Sequence, residues 1–285
     1  MVRRRWSGWA CVVLCALCGS GAWAQVLVKE GDSVAFLGDS ITQGGAGSPV
    51  GYVRLVMGGL EAVGVKAQCI PAGISGHKSN QMLARLQKDV LDKKPTFMTL
   101  SCGVNDVWHG ANGVPLDKYK ENITAIVDKC AAAGVKVVML TATMIHENQA
   151  NAENQKLVPY NDFLKALAAE RKLPLADLNA DMQAALKAPH KGNLLTTDGV
   201  HMNPLGNEMM AKGVLRALGV DAAGLAKVDA AWGTIGGCEG PRPRLTLGQY
   251  KQLAAIAGRE GMSLDELLGA ILNKAVEATL ARQPK

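Results

Sequence analysis

Aromatic side chains are scarce in this chain, at 4% of 285 residues, which leaves little material for a broad hydrophobic groove. Charge of either sign is also in short surplus, with 31 Lys and Arg against 25 Asp and Glu, and so small a basic excess does not ask for nucleic acid as a partner. The glycine-rich stretch GDSITQGGAG, residues 38–47, has neither the lysine of a phosphate loop nor the G-x-G-x-x-G spacing of a dinucleotide site. Beyond residue 24 no C-x-x-C pair occurs, so zinc is not indicated, and no metal or other cofactor is expected.

What is present begins with a leader. MVRRRWSGWACVVLCALCGSGAWAQ combines three arginines, a short apolar run and a small-x-small ending at Ala22-Trp23-Ala24. This is the pattern of a secretory signal peptide over residues 1–24, with an apolar core too short to span a bilayer comfortably. Leu14 and Leu17 precede Cys15 and Cys18 where a lipoprotein would want a small residue. Cleavage near Ala24 predicts an exported protein, periplasmic or extracellular, with no stable membrane insertion. Because Arg3, Arg4 and Arg5 leave with the leader, the mature chain would hold 28 basic side chains, the 31 of the full sequence less these three, against 25 acidic ones. Four of the seven cysteines remain: Cys69, Cys102, Cys130 and Cys238.

From Ser33 to about Gly219, short β-rich runs alternate with amphipathic segments. VAFLG, KAQCI, TFMTLSC, VKVVMLT and LPLAD read as strands. GYVRLVMGGLEAV, KSNQMLARLQKDVLDK, LDKYKENITAIVDKCAAAG, NDFLKALAAERK and PLGNEMMAKGVLRAL read as helices, with apolar residues recurring at three and four. Strands separated by single helices imply right-handed crossovers, and hence a three-layer α/β/α sandwich around a parallel sheet of about five strands. The expected organisation is a main domain over 25–220, a Gly/Pro-rich linker over 221–243, and a tail over 244–285. The tail reads as a short extended run, a helix ending near Gly261 and a helix capped by Ser263, with Asp265 and Glu266 in its first turn. Strand, helix and capped helix in that order resemble a ribbon-helix-helix unit. In an exported chain that suggests packing, or a homodimer formed through the tail, in place of DNA binding.

The chemistry starts at Ser40, where the apolar run of the first strand stops at Gly-Asp-Ser. A serine becomes a nucleophile only with a base in reach and donors waiting for an oxyanion. Among the five histidines, His201 stands out in a plausible loop, LLTTDGVHMNPLGN, where Asp198 precedes it by three residues with Gly199 between them. Taken alone, an Asp-x-x-His turn is equally a surface turn or a metal corner. Two further strand ends supply donors: Gly76 of IPAGISGHKSN through its N–H, and Asn105 of GVNDVWHG through its side-chain amide. All of these fall at successive strand and helix ends between residues 40 and 201.

GDSITQGG, ISGHKS, GVND and DGVH together resemble the four signature blocks of the SGNH hydrolases, also called the GDSL esterase and lipase family. The resemblance implies a flavodoxin-like sheet in which strands two and three flank strand one. It also implies Ser40 as nucleophile, the Ser40 and Gly76 N–H groups and Asn105 as the oxyanion hole, His201 as base and Asp198 as its partner. In that sheet order Cys69 and Cys102 lie two strands apart and should not be bridged. The second block departs from the family, with Ile70-Pro71-Ala72 ahead of Gly73 where Asn is frequent.

The implied activity is ester hydrolysis through an acyl-serine. No long apolar insertion follows Ser40 or Asn105, so a small acyl group is favoured. Asp39, His77 and Trp108 are candidate substrate contacts, the tryptophan as a flat wall for a sugar ring. Export, a short acyl pocket and Trp108 point to O-acetyl groups on carbohydrate. The alternatives are a lysophospholipase or thioesterase of the same family, and a catalytically inactive glycan-binding module.

Overall fold

A computed structural model describes residues 26–189, 192–236 and 247–282, without the side chains of Leu247, Tyr250 and Lys251. The leader, Cys238 and the short extended run expected ahead of the tail's first helix lie outside the described residues. The chain divides into two compact units, Met1–Cys238 and Glu239–Lys285.

In the first unit five parallel strands, β1 Ser33–Gly38, β2 Gln68–Gly73, β3 Phe97–Ser101, β4 Lys136–Leu140 and β5 Leu175–Ala176, are ordered β2-β1-β3-β4-β5. The expected α/β/α sandwich is thus observed, with strands two and three flanking strand one. Sequence dictates which strands are central. VAFLG and FMTLS are buried throughout, as strands covered on both faces must be. Pro71, which has no N–H to give to a ladder, lies on β2, the edge strand, in register with Phe36. Cys69, on β2, and Cys102, just after β3, are separated by β1, and with Cys130 they are free thiols.

Helices α2 Tyr52–Ala62, α8 Pro204–Ala217 and α9 Ala222–Trp232 pack together, and α3 Ser79–Asp89, α5 Leu116–Ala132 and α6 Ala152–Glu170 form the other group, with short helices α1 Ser40–Gly47, α4 Val104–Trp108 and α7 Leu178–Ala185 at strand ends. Between them Val34, Phe36, Leu37, Met98, Leu100, Val138 and Leu140 fill the centre of the core.

Several segments differ from the sequence reading. Residues 222–232, read as the start of a linker, form α9: Asp221 caps it by accepting from Gly224 N at 2.7 Å, Val228 is buried, and Trp232 Nε1 donates to Leu55 O of α2 at 3.1 Å. Its residues, AAGLAKVDAAW, are small and weakly patterned, but Ala is the strongest helix former. Helix α6 starts at Ala152 and not near Asn161, because the Asn151 side chain caps it and the helix runs through Pro159. Helix α1 forms from a stretch that reads as a glycine turn.

Among the described residues no helix is long and apolar enough to cross a membrane. In the second unit α10 Leu247–Arg259 and α11 Leu264–Leu280 form a helical pair joined at Gly261, whose φ is +69°. Ser263 and Glu266 close a reciprocal capping box at the start of α11, where the sequence placed a serine cap.

Candidate active site

The site is built where β1, β2 and β3 end. Gly38, the last residue of β1, has no room for a side chain: a Cβ would lie 2.0 Å from Thr42 Oγ1. The chain can therefore turn directly from strand into helix, and Ser40 becomes the first residue of α1. Its N–H, at a helix N-terminus, has no acceptor within the helix. Asp39 does not reach outward as a substrate contact would. It is 2% exposed, and its carboxylate accepts from Ile41 N at 2.9 Å, capping α1. Burial pushes its pKa up to about 6, against the pull of that N–H, and the nearby Asp106 carboxyl adds to the rise.

His201 Nε2 lies 2.9 Å from Ser40 Oγ, and His201 Nδ1 lies 2.6 Å from Asp198 Oδ2. The other oxygen of Asp198 accepts from Val200 N at 3.0 Å and His201 N at 2.8 Å, a local turn that fixes the carboxylate beneath the ring. Although burial works the other way, these hydrogen bonds and the His201 ring hold the Asp198 carboxyl down at about 2. A carboxylate ionised at all ordinary pH values keeps the proton on Nδ1 and leaves Nε2 free to accept one from serine.

Gly76 sits in a turn closed by His77 N donating to Ile74 O at 3.2 Å, with φ +74° at the glycine. A side chain there would meet nothing within 4 Å, so it is the left-handed backbone and not crowding that requires glycine. Among the described residues the Gly76 N–H has no acceptor. Asn105, 3% exposed, spends one amide hydrogen on His77 O at 3.2 Å, which joins the two donor-bearing segments and leaves a second hydrogen unspent.

Sequence reasoning missed the residues that fix this floor. Asp106 accepts from Ser79 N at 3.0 Å and Ser79 Oγ at 2.6 Å, and Asn122 Nδ2 donates to the same hydroxyl at 3.1 Å, so α3, α4 and α5 meet in one polar knot. Arg85 donates to Gly38 O at 2.8 Å, Ala72 O at 2.8 Å and His77 Nδ1 at 3.1 Å, tying the ends of β1 and β2 to the turn after them. Burial and the Arg85 charge lower the His77 pKa, so that ring stays neutral. His77 is half-buried. Trp108 closes α4 at 36% exposure, its ring parallel to that of His109 with centroids 6.2 Å apart. No cluster of three metal-ligating side chains occurs among the described residues.

A parallel sheet presenting a serine to a histidine and a carboxylate at its strand ends defines a serine hydrolase. Residues 36–209 match the GDSL-like lipase/acylhydrolase family model, and the chain belongs to that family of ester-hydrolysing enzymes. It is 27% identical to the acetylxylan esterase of Geobacillus stearothermophilus over 215 residues, covering 68% of this chain and 97% of that protein. It is 26% identical to the esterase TesA of Pseudomonas aeruginosa over 190 residues, 65% of this chain and 89% of the relative. The crystal structure of an acetyl xylan esterase, AlAXEase, superposes with a TM-score of 0.60 at 32% identity, over 65% of this chain and 98% of that one.

Proposed function

We propose that the protein is an exported carbohydrate O-acetylesterase acting through an acyl-serine. The observation that carries this reading is the unbroken line of hydrogen bonds from Ser40 Oγ through the His201 ring to Asp198. Ser40 Oγ attacks the acyl carbon as His201 Nε2 takes its proton. The oxyanion that forms receives hydrogen bonds from the Ser40 and Gly76 N–H groups and from Asn105 Nδ2. On collapse the sugar alcohol leaves with the proton held by His201, and water then repeats the sequence and releases acetate. Each donor of this kind is worth about 2.7–4 kcal/mol of barrier, and the N-terminus of α1 adds a favourable field at the same place.

The acetylated-carbohydrate part of the reading is supported by the acetylxylan esterases among the relatives and by Trp108, an exposed flat ring close to Asn105 in sequence. Export rests on the composition of residues 1–24. The test is acetate release by the mature chain from acetylated xylo-oligosaccharides and other acetylated glycans, beside a series of simple esters of rising acyl length, with Ser40→Ala as the blank. The expected result is acetate release that the variant abolishes, and turnover that falls steeply beyond short acyl groups. A preference for long acyl chains assigns the enzyme to lipids, and binding of glycans without turnover assigns it to recognition alone.

A further inference from the structure

The loop that carries Asp198 and His201 is held by a carboxylate outside the relay. Glu147 lies beyond the end of β4, and among the described residues every hydrogen bond its side chain makes comes from the segment just ahead of Asp198. Its Oε2 accepts from Leu194 N at 2.6 Å, and its Oε1 accepts from Leu195 N at 2.8 Å, Thr196 N at 2.7 Å and Thr196 Oγ1 at 2.7 Å. Hydrogen bonds to an ionised acceptor are the strong kind, and three successive backbone N–H groups aimed at one carboxylate fix the chain direction as well as its place. The charged form is the one this nest favours: partial burial acts to raise the Glu147 pKa, yet the donors hold it below the usual carboxylate range.

Both ends of this clamp are rigid. On the relay side, Thr196 pairs with Met202 across an antiparallel bridge, Thr197 N donates to His201 O at 2.8 Å, and Gly199 N donates to Thr196 Oγ1 at 3.1 Å. Residues 196–202 are therefore a closed loop with Asp198 and His201 on it, and whatever fixes Thr196 fixes both. On the Glu147 side, buried Asn154 of α6 accepts from Ile145 N at 2.8 Å and donates to His146 O at 3.0 Å and Asn148 O at 2.9 Å. His146 N donates to Gly199 O at 2.7 Å while His146 itself holds φ at +60°, a conformation that a non-glycine residue keeps only where its surroundings impose it.

We propose that Glu147 is a positioning residue for catalysis: its carboxylate holds the Asp198–His201 loop at the distance from which His201 meets Ser40. This rests on the acyl-serine reading, in which His201 is the base. Proton transfer is sensitive to placement on the scale of an ångström, and the other three elements of the site, at the ends of β1, β2 and β3, are tied to one another through bonds that do not involve the 194–201 loop.

The test is Glu147→Gln in the full mature chain. An amide replaces one acceptor oxygen by a donor, so it must face at least one of the same N–H groups with a hydrogen. The expected result on a short ester is a fall in kcat of about 10- to 100-fold with KM little changed, in a protein whose circular dichroism and unfolding transition show it folded. A second readout is the low-field proton resonance of the His201 Nδ1–H···Asp198 hydrogen bond. It should be present in the wild type and in Ser40→Ala, and shifted or broadened in Glu147→Gln. Should Glu147→Gln not fold, Glu147→Asp keeps the charge but shortens the reach to the three N–H groups by one methylene, and the same two readouts apply with a smaller fall in kcat. A folded variant that keeps wild-type kcat and an unmoved resonance overturns the proposal. If the wild type hydrolyses no ester, the acyl-serine reading fails, while the resonance alone still decides whether Glu147 holds the loop.

Discussion

Asp39 stands beside the nucleophile and yet is one of the most buried ionisable groups in the chain. Burial costs it more than its backbone hydrogen bonds return, so its pKa rises from 3.8 to about 6. The sign of the consequence follows from linkage. Because the folded state holds the proton more tightly than the unfolded chain does, the stability linked to this group is complete below pH 3.8 and is lost as the pH rises through 6. The shift corresponds to roughly 3 kcal/mol in favour of the neutral form. Asn at this position keeps an oxygen for Ile41 N and carries no charge. Asp39→Asn is therefore expected to match the wild type in urea at pH 4 and to exceed it in midpoint at pH 8. Equal midpoints at pH 8 would show that the carboxyl is solvated. Sequence could propose Ser40, Gly76, Asn105, Asp198 and His201 as candidates, because each stands at a punctuated strand or helix end, and the structure brings the side chains of Ser40, His201 and Asp198 into one hydrogen-bonded line. It could not tell that Asp39 points inward, because the charge of a residue says nothing of which face of a turn it takes.

At the scale of elements, legibility tracked the strength of the local pattern. β1, β3 and β4 were readable as apolar runs, and α2, α3, α5 and α8 as periodic ones, since in these segments burial and propensity agree. α1, α7 and α9 were not readable as helices: α1 and α7 have only 8 residues each, and α1 and α9 are made of small residues whose pattern is weak. Pro159 hid the first half of α6, because a proline in a helical pattern ordinarily marks an end. The clamp of Glu147 on 194–196 left no trace at all, since it joins side chain to backbone across residues that share no repeat or motif. For α9 the packing gives a measurable claim. Val228 is fully buried on a helix that sits against α2, so Val228→Ala should cost about 2 kcal/mol in a denaturant titration. A loss below a few tenths of a kcal/mol would mean that α9 adds nothing to the first unit.

For the whole molecule, the division into two units makes its own prediction. The first unit contains the complete sheet, a continuous core and every candidate site residue. A chain that ends at residue 236 is expected to fold cooperatively and to keep kcat/KM on a short acetyl ester within about twofold, since it retains every candidate site residue. A truncated chain that is folded but inactive would give the 239–285 unit a part in the reaction. The tail's sequence is legible as a helical pair with a serine cap, whereas its purpose is not written in any residue that does chemistry.

The hydrogen bond between Ser40 and His201 joins residues 161 positions apart. On a ribosome that separation becomes an interval. At 5–20 residues per second the serine leaves the exit tunnel about 8–30 s before the histidine, and β1, which presents it, cannot settle between β2 and β3 until those have also been made. On the proposed acyl-serine reading the nascent chain carries an inert hydroxyl for all of that time, and hydrolytic competence arrives only with the final helices of the unit. The appearance of activity is thus a clock for the completion of folding, and a chain released early, at any point before residue 201, is silent by construction.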